Sequence, residues 1–248
     1  MDLLQSLFRW IHVVAGITWI GHLYFFNWVN SQFAPTMDAE TKKKVVPELM
    51  PRALYWFRWG AAYTWLTGVL LLLLVYYHGG IMFDFGADWG PMAVIMIVLV
   101  FVAPFIYDAV YKTVLKDPTT GFVAGVVLAT AVACLMAYAA GFSFRAYAIH
   151  LGAMFGTIMA FNVWFRIWPA QQKIIRATKD GQPPDAALAA MAGTRSKHNT
   201  YMSVPLVFMM ISQHAAGMAN PIFLAVMVAL GFGLVYHVYE RAKAVKGF

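Results

Sequence analysis

Long apolar runs broken by short polar intervals dominate this chain. A helix that crosses a hydrocarbon core needs ~20 mainly apolar residues. Seven stretches reach that length: 5–30, 55–78, 91–112, 120–141, 144–168, 199–217 and 221–241. Turn-forming residues separate them, at Gly79-Gly80, Asp117-Pro118, Gly141, Pro183-Pro184 and Asn220-Pro221. Aromatic residues with one polar edge crowd the run ends (Trp10, Trp28, Trp56, Trp59, Tyr76, Tyr77, Trp89, Trp164, Trp168), as in interfacial belts. The pattern predicts an all-α, polytopic membrane helix bundle, a single transmembrane domain over residues 1–248. Two longer connections, 31–54 and 169–198, mix charges with helically spaced apolar residues and predict amphipathic helices lying at the interface.

Composition agrees: 61% of residues are hydrophobic and 12% charged, where soluble domains carry about 25% charged residues. The first run lacks a basic leader and a small-residue cleavage site, and is expected to be retained as a helix. A net charge of +7 invites a nucleic-acid reading, but its distribution argues against one. If the runs alternate in direction, 16 of the 18 basic residues fall on one side, leaving only Arg9 and Arg145 on the other. Such a bias marks the cytoplasmic face, so the N-terminus is expected outside and the C-terminus inside. A lone cysteine, Cys134, excludes a disulfide framework, a CxxCH haem attachment, a CxxC zinc site and an iron–sulfur cluster.

The seven histidines are the chemical anomaly. Ionisable side chains at membrane depth are costly and signal function by default, and imidazole is a common haem ligand. At about 1.5 Å per residue, His12, His150 and His214 fall toward the outer side. His22, His198 and His237 lie deeper or toward the inside, and His78 reads as a helix-end residue. This division suits one or two b-type haems held between facing helices. His12, His150 and His214 are the expected iron ligands, with His22, His198 and His237 available to a second haem. Gly16 and Gly152, each just beyond a histidine, would let a porphyrin approach the backbone, and Arg9 and Arg145 would meet its propionates. Asp108 stands four residues before Lys112, a spacing that reads as a local ion pair. Two non-redox alternatives remain, an accessory subunit of a larger complex and a transporter. Pro104 and Pro205 interrupt two runs, but without the paired, inverted pattern of transporters. A retinal protein is set aside for want of a mid-membrane lysine.

Beyond these patterns, specific motifs are present. Arg9-Trp10-Ile11-His12 through Gly16, Trp19, Ile20 and Gly21 resembles the opening helix of the membrane-bound urate oxidase (urate hydroxylase) family. So do Phe57-Arg58-Trp59 with Ala62-Tyr63-Thr64-Trp65-Leu66-Thr67-Gly68, and Tyr107-Asp108. The longest matches run from His150-Leu151-Gly152-Ala153-Met154 to Pro169-Ala170-Gln171, and from Arg195-Ser196-Lys197-His198-Asn199-Thr200-Tyr201 to His214. The resemblance implies a bacterial inner-membrane oxidase that converts urate to 5-hydroxyisourate and passes electrons to a C-terminal cytochrome c domain. His12, His150, His198 and His214 fall in the family's motifs, whereas His22 stands where a small polar residue is expected. The chain ends at Phe248 without the further helix and haem-c domain, so the expected acceptor is a separate cytochrome c or another membrane redox complex. An anionic purine needs donors and cations, and Asn162, Arg195 and Asn199 are the expected contributors. Beyond these, the lipid bilayer is the expected partner, and nucleic acid is not.

Overall fold

With no water to satisfy backbone N–H and C=O groups, a chain this apolar crosses a bilayer as helices or as a closed barrel. This one is helical. The computed structural model describes residues 2–111, 118–212 and 220–247, with the backbone alone at 118 and 119. In order come α1 (Asp2–Thr36), α2 (Ala39–Tyr77), α3 (Pro91–Tyr111), α4 (Pro118–Cys134, prolonged by a π turn over Leu135–Ala139), α5 (Phe144–Lys179), α6 (Ala186–Ile211) and α7 (Pro221–Ala244). No strand occurs among the described residues, only an isolated bridge between Phe83 and Phe142. Side-chain caps start the helices where the sequence offers them: Asp38 accepts from the Thr41 N–H, Ser143 from Ala146, Asp185 from Ala187 and Asn220 from Ile222.

Six of the seven expected spans coincide with helices long and apolar enough to cross a membrane, α1 to α5 and α7. The seventh, 199–217, is shared between the end of α6 and residues outside the described set. Neither expected interfacial helix is separate. Residues 39–54 are the first turns of α2, and 169–179 the last turns of α5, so both helices project beyond the apolar core. Exposed i,i+4 pairs, Glu40–Lys44 and Glu48–Arg52, support the projecting part of α2.

α5 is the axis of the bundle, with 67% of its apolar stretch buried, against 6% for α1. α1 packs along α2, and α5 against α3 and α6, while α7 lies between α6 and α4. Close approach needs missing side chains. A Cβ on Gly60 would stand 3.0 Å from the Trp19 backbone nitrogen, and one on Gly231 would stand 2.9 Å from the Pro205 ring. Because backbone is the obstacle, Gly60→Val is expected to force α1 off α2 and cost ~1–3 kcal/mol. Unfolding of the detergent-solubilised variant checks this, and unchanged stability would contradict the packing.

The two ends of the bundle differ sharply. One end carries Lys42, Lys43, Lys44, Arg52, Lys173, Arg176, Lys179, Lys197, Arg241 and Lys243. The other carries the 78–90 loop, tied to the start of α5 where Ser143 bonds Met82 and Ile81. Below, these are the basic end and the loop end. Lys112 and Lys116 lie outside the described residues.

Candidate functional site

Three polar clusters interrupt the apolar interior. The largest sits in the basic half, where α3, α5 and α6 meet. Asp108, near the end of α3, takes a bidentate contact from Arg166 (2.9 and 2.6 Å) and a third bond from Arg195 Nη2 at 2.6 Å. Arg195 then donates from Nη1 to Asn162 Oδ1 at 2.9 Å, Asn162 donates to Asn199 Oδ1 at 2.9 Å, and Asn199 donates to the Met159 carbonyl at 3.0 Å. The Arg195 guanidinium also lies 3.9 Å from the Tyr111 ring centroid. Beside it, His198 Nδ1 and the Tyr107 hydroxyl share a 2.8 Å hydrogen bond. Arg166 belongs to a π turn, Val163–Ile167, of the kind often found at functional positions.

The expected substrate residues Asn162, Arg195 and Asn199 are therefore brought together, but fully buried and bonded to one another. Asp108 gains what the sequence spacing did not show, arginine partners on two other helices; Lys112, its expected partner, lies outside the described residues. A carboxylate in an apolar run was itself the signal for this.

On the far side of the same stretch of α6 lies a cavity of about 340 Å³, opening at the basic end. Phe26, Asn27, Phe57, Gln171, Ser196 and Lys197 are among its walls. A second π turn, Phe25–Asn30, turns Asn27 inward. Asn27 donates to Ser196 Oγ at 2.8 Å and accepts from the Tyr239 hydroxyl at 2.9 Å, so three helices share one polar wall. Within one turn of α6, Arg195 faces the buried network while Ser196 and Lys197 face the cavity. Asn27 was not singled out from sequence, and Gln171 stood there only as the end of a motif, with no role at the site. Asn27, an amide inside the first apolar run, carried a readable signal.

The third cluster surrounds His150 at the loop end, and it bears on the haem expectation. His150 has no exposed surface. Its Nδ1–H donates to the Ala146 carbonyl at 2.7 Å, and its Nε2 takes the Tyr77 hydroxyl at 3.0 Å. His12 bonds Thr67 at 3.2 Å, ten residues before Tyr77 on α2, or ~15 Å along the helix. The two imidazoles thus stand at different levels and do not face each other. Of the two glycines expected to admit a porphyrin, Gly152 is covered by protein: a Cβ there would lie 3.2 Å from Met209 and 3.3 Å from Met210, whereas one on Gly16 would make only an ordinary contact, 3.9 Å from Thr64. A haem between His12 and His150 does not fit these residues. His22 is half-buried with Nδ1 on the Thr18 carbonyl at 2.7 Å. His237 is exposed on α7, as His78 is at the end of α2, and Arg9 and Arg145 are exposed near the loop end. His214 lies outside the described residues. Among those described, no group of three or more His, Cys, Asp or Glu side chains is placed to hold a metal ion.

Fold and polar interior together define a multi-pass membrane helix bundle with a buried ionic network beside an open cavity. The sequence model of the urate oxidase N-terminal family matches residues 1–44 and 37–246, nearly the whole chain. The chain belongs to this family. No curated protein and no solved structure matches it.

Proposed function

We propose that this protein is the membrane module of a urate-oxidising system, taking its substrate into the cavity at the basic end. The cavity carries the reading. Urate is planar, anionic at neutral pH and edged with alternating N–H and C=O groups. An amide that both donates and accepts (Gln171), the remaining acceptor lone pair of Asn27 Oδ1, whose two N–H groups go to Leu23 and Ser196, a hydroxyl (Ser196), a cation (Lys197) and aromatic faces (Phe26, Phe57) match those features. Its volume of about 340 Å³ lies within the usual range for small-molecule sites. By the distribution of lysine and arginine the basic end faces the cytoplasm, the side on which a purine catabolite is produced. The setting fits the bacterial inner membrane.

The overall oxidation adds water to urate and removes two electrons and two protons, giving 5-hydroxyisourate. The electrons go to a separate acceptor, a cytochrome c or another membrane redox complex. The Asp108–Arg195–Asn162–Asn199 network acts by position. It fixes the turn of α6 that presents Ser196 and Lys197, and with Arg166, the second arginine on Asp108, it carries one more positive than negative charge, which favours an anion nearby.

The purified protein, mixed anaerobically with urate and ferricyanide, is expected to reduce the ferricyanide in proportion to urate. Absence of both urate binding and urate-dependent reduction overturns the proposal. Uptake of urate into proteoliposomes without oxidation moves the reading to a transporter. Activity seen only within a larger complex moves it to an accessory subunit.

A further inference from the structure

Arg58, on α2, takes part in neither the cavity nor the Asp108 network, although it stands inside the apolar run 55–78. Its guanidinium lies 4.0 Å from the ring centroid of Trp168, with the Tyr55 and Trp164 rings at 5.7 and 5.9 Å. The seam between α2 and α5 holds this cage in place. Trp164 Nε1–H donates to the Arg58 carbonyl at 3.0 Å, and the Trp59 ring meets that of Trp164 edge-on at 5.5 Å.

What this cation lacks is an anion. Its Nε is buried without a partner, and its guanidinium makes no hydrogen bond or ion pair among the described residues. The other cations of the basic half are placed differently. Lys44, Arg52, Arg166, Arg195 and Lys243 have carboxylates, and Lys173, Arg176 and Arg241 are exposed. Arg58 is half-buried at the level of the aromatic belt. An uncompensated charge at that depth is costly, and aromatic faces offset only part of the cost. Beside it, Tyr55, Trp59, Tyr63 and Leu66 follow one another along α2 at three- and four-residue steps, and all four are exposed. The strip runs from headgroup level toward acyl level.

We propose that Arg58 binds the phosphodiester of an anionic phospholipid of the inner leaflet, with an acyl chain lying along Trp59, Tyr63 and Leu66. A guanidinium offers a planar fork of donors that matches two phosphate oxygens. Stacking on Trp168 sets the plane of that fork before the lipid arrives. The site prefers an anionic headgroup to a zwitterionic one, because nothing beside it receives an ammonium. α5 has no acidic residue. The nearest on α2, Glu48, is ~15 Å away along the helix and is held by Arg52. A bound lipid touches both helices and stabilises their pairing by mass action. The site does not rest on the urate reading.

The test uses the full chain, delipidated in detergent and titrated with dioleoylphosphatidylglycerol or dioleoylphosphatidylcholine. Native mass spectrometry counts the first bound lipid. The glycerol headgroup is expected to bind at least ~10-fold more tightly than the choline one, the effect of one hydrogen bond to a charged group. Arg58→Gln is expected to remove that preference, and Arg58→Lys to keep part of it, since the charge remains and the fork does not. Arg241→Gln, an equal loss of charge on α7, is expected to leave the preference intact. Millimolar glycerol 1-phosphate is expected not to displace the lipid. Equal binding of the two lipids by the wild type overturns the proposal, and this comparison depends on no variant folding. Equal weakening by Arg58→Gln and Arg241→Gln overturns it too, by reducing the effect to the general field of the basic end. Displacement by glycerol 1-phosphate overturns the lipid assignment in favour of a soluble phosphate.

Discussion

Asp108→Asn is expected to destabilise the protein by ~3 kcal/mol or more, the cost of breaking a buried ion pair by removing one partner. The two arginines on this carboxylate are not equivalent. Arg166 leaves 38% of its side chain exposed and can turn toward water, whereas Arg195 is 2% exposed and cannot. The variant therefore strands one guanidinium among Tyr107, Tyr111 and Asn162. Of the ion pairs among the described residues, only those of Asp108 join different helices, so the loss loosens α3, α5 and α6 together. Two companion variants separate this account from a general intolerance at the position. Arg166→Met is expected to cost no more than ~1 kcal/mol, as exposed pairs do. Asp108→Asn with Arg195→Met removes the stranded charge and is expected to recover much of the loss, since apolar replacements of buried ion pairs are often neutral. Unfolding of the four proteins in the same detergent makes the comparison. A single Asp108→Asn variant within ~0.5 kcal/mol of wild type contradicts the account.

The architecture was largely legible because the membrane imposes it. Each ~20-residue apolar run becomes a helix, and turn residues such as Asn220-Pro221 mark the starts. What hydropathy does not register is helix continuing past the apolar core. Residues 39–54 of α2 carry exposed charges such as Lys44, Glu48 and Arg52, and they stay helical through a side-chain cap at Asp38 and local i,i+4 pairs, so they read as a separate element. Depth was less legible than span. Counting residues from run ends put His12 and His150 in one outer group, but α1 begins at Asp2 and slides along α2 until His12 meets Thr67, while His150 meets Tyr77.

At the site, polar residues inside apolar runs proved the useful signal. Asn162, Arg195 and Asn199 do converge. The same signal at Asp108 was masked by a nearer lysine in sequence, because a one-dimensional spacing rule favours local partners over partners 58 and 87 residues away. Gly152 shows the converse ambiguity. A small residue one turn from a histidine admits a cofactor or a neighbouring helix, and only the position of Met209 decides between them.

The second large effect is expected in the cavity. Asn27→Leu and Lys197→Met should each weaken urate binding, for different reasons. Lys197 stands at the mouth with its ammonium 5.5 Å from the Tyr239 ring. A hydrogen bond to a charged group contributes ~1.5–3 kcal/mol, so losing the ammonium is expected to raise Kd ~10- to 100-fold, at 1.4 kcal/mol per factor of ten. The lysine is exposed, which places the effect near the lower figure and makes it sensitive to salt. Raising the ionic strength should weaken wild-type binding and leave Lys197→Met nearly unchanged. Asn27 is 7% exposed and holds both Ser196 and Tyr239. Its replacement by leucine removes one ligand contact and frees two hydroxyls to rotate out of the wall, so the loss should exceed that of Lys197→Met and show no salt dependence. Equilibrium dialysis with labelled urate measures both variants, and Lys44→Met, an exposed member of a local pair on α2, serves as the charge control. Equal weakening by Lys44→Met and Lys197→Met would mean that urate responds only to the general field of the basic end. Weakening confined to Lys197 and Asn27 would place the anion in the cavity itself.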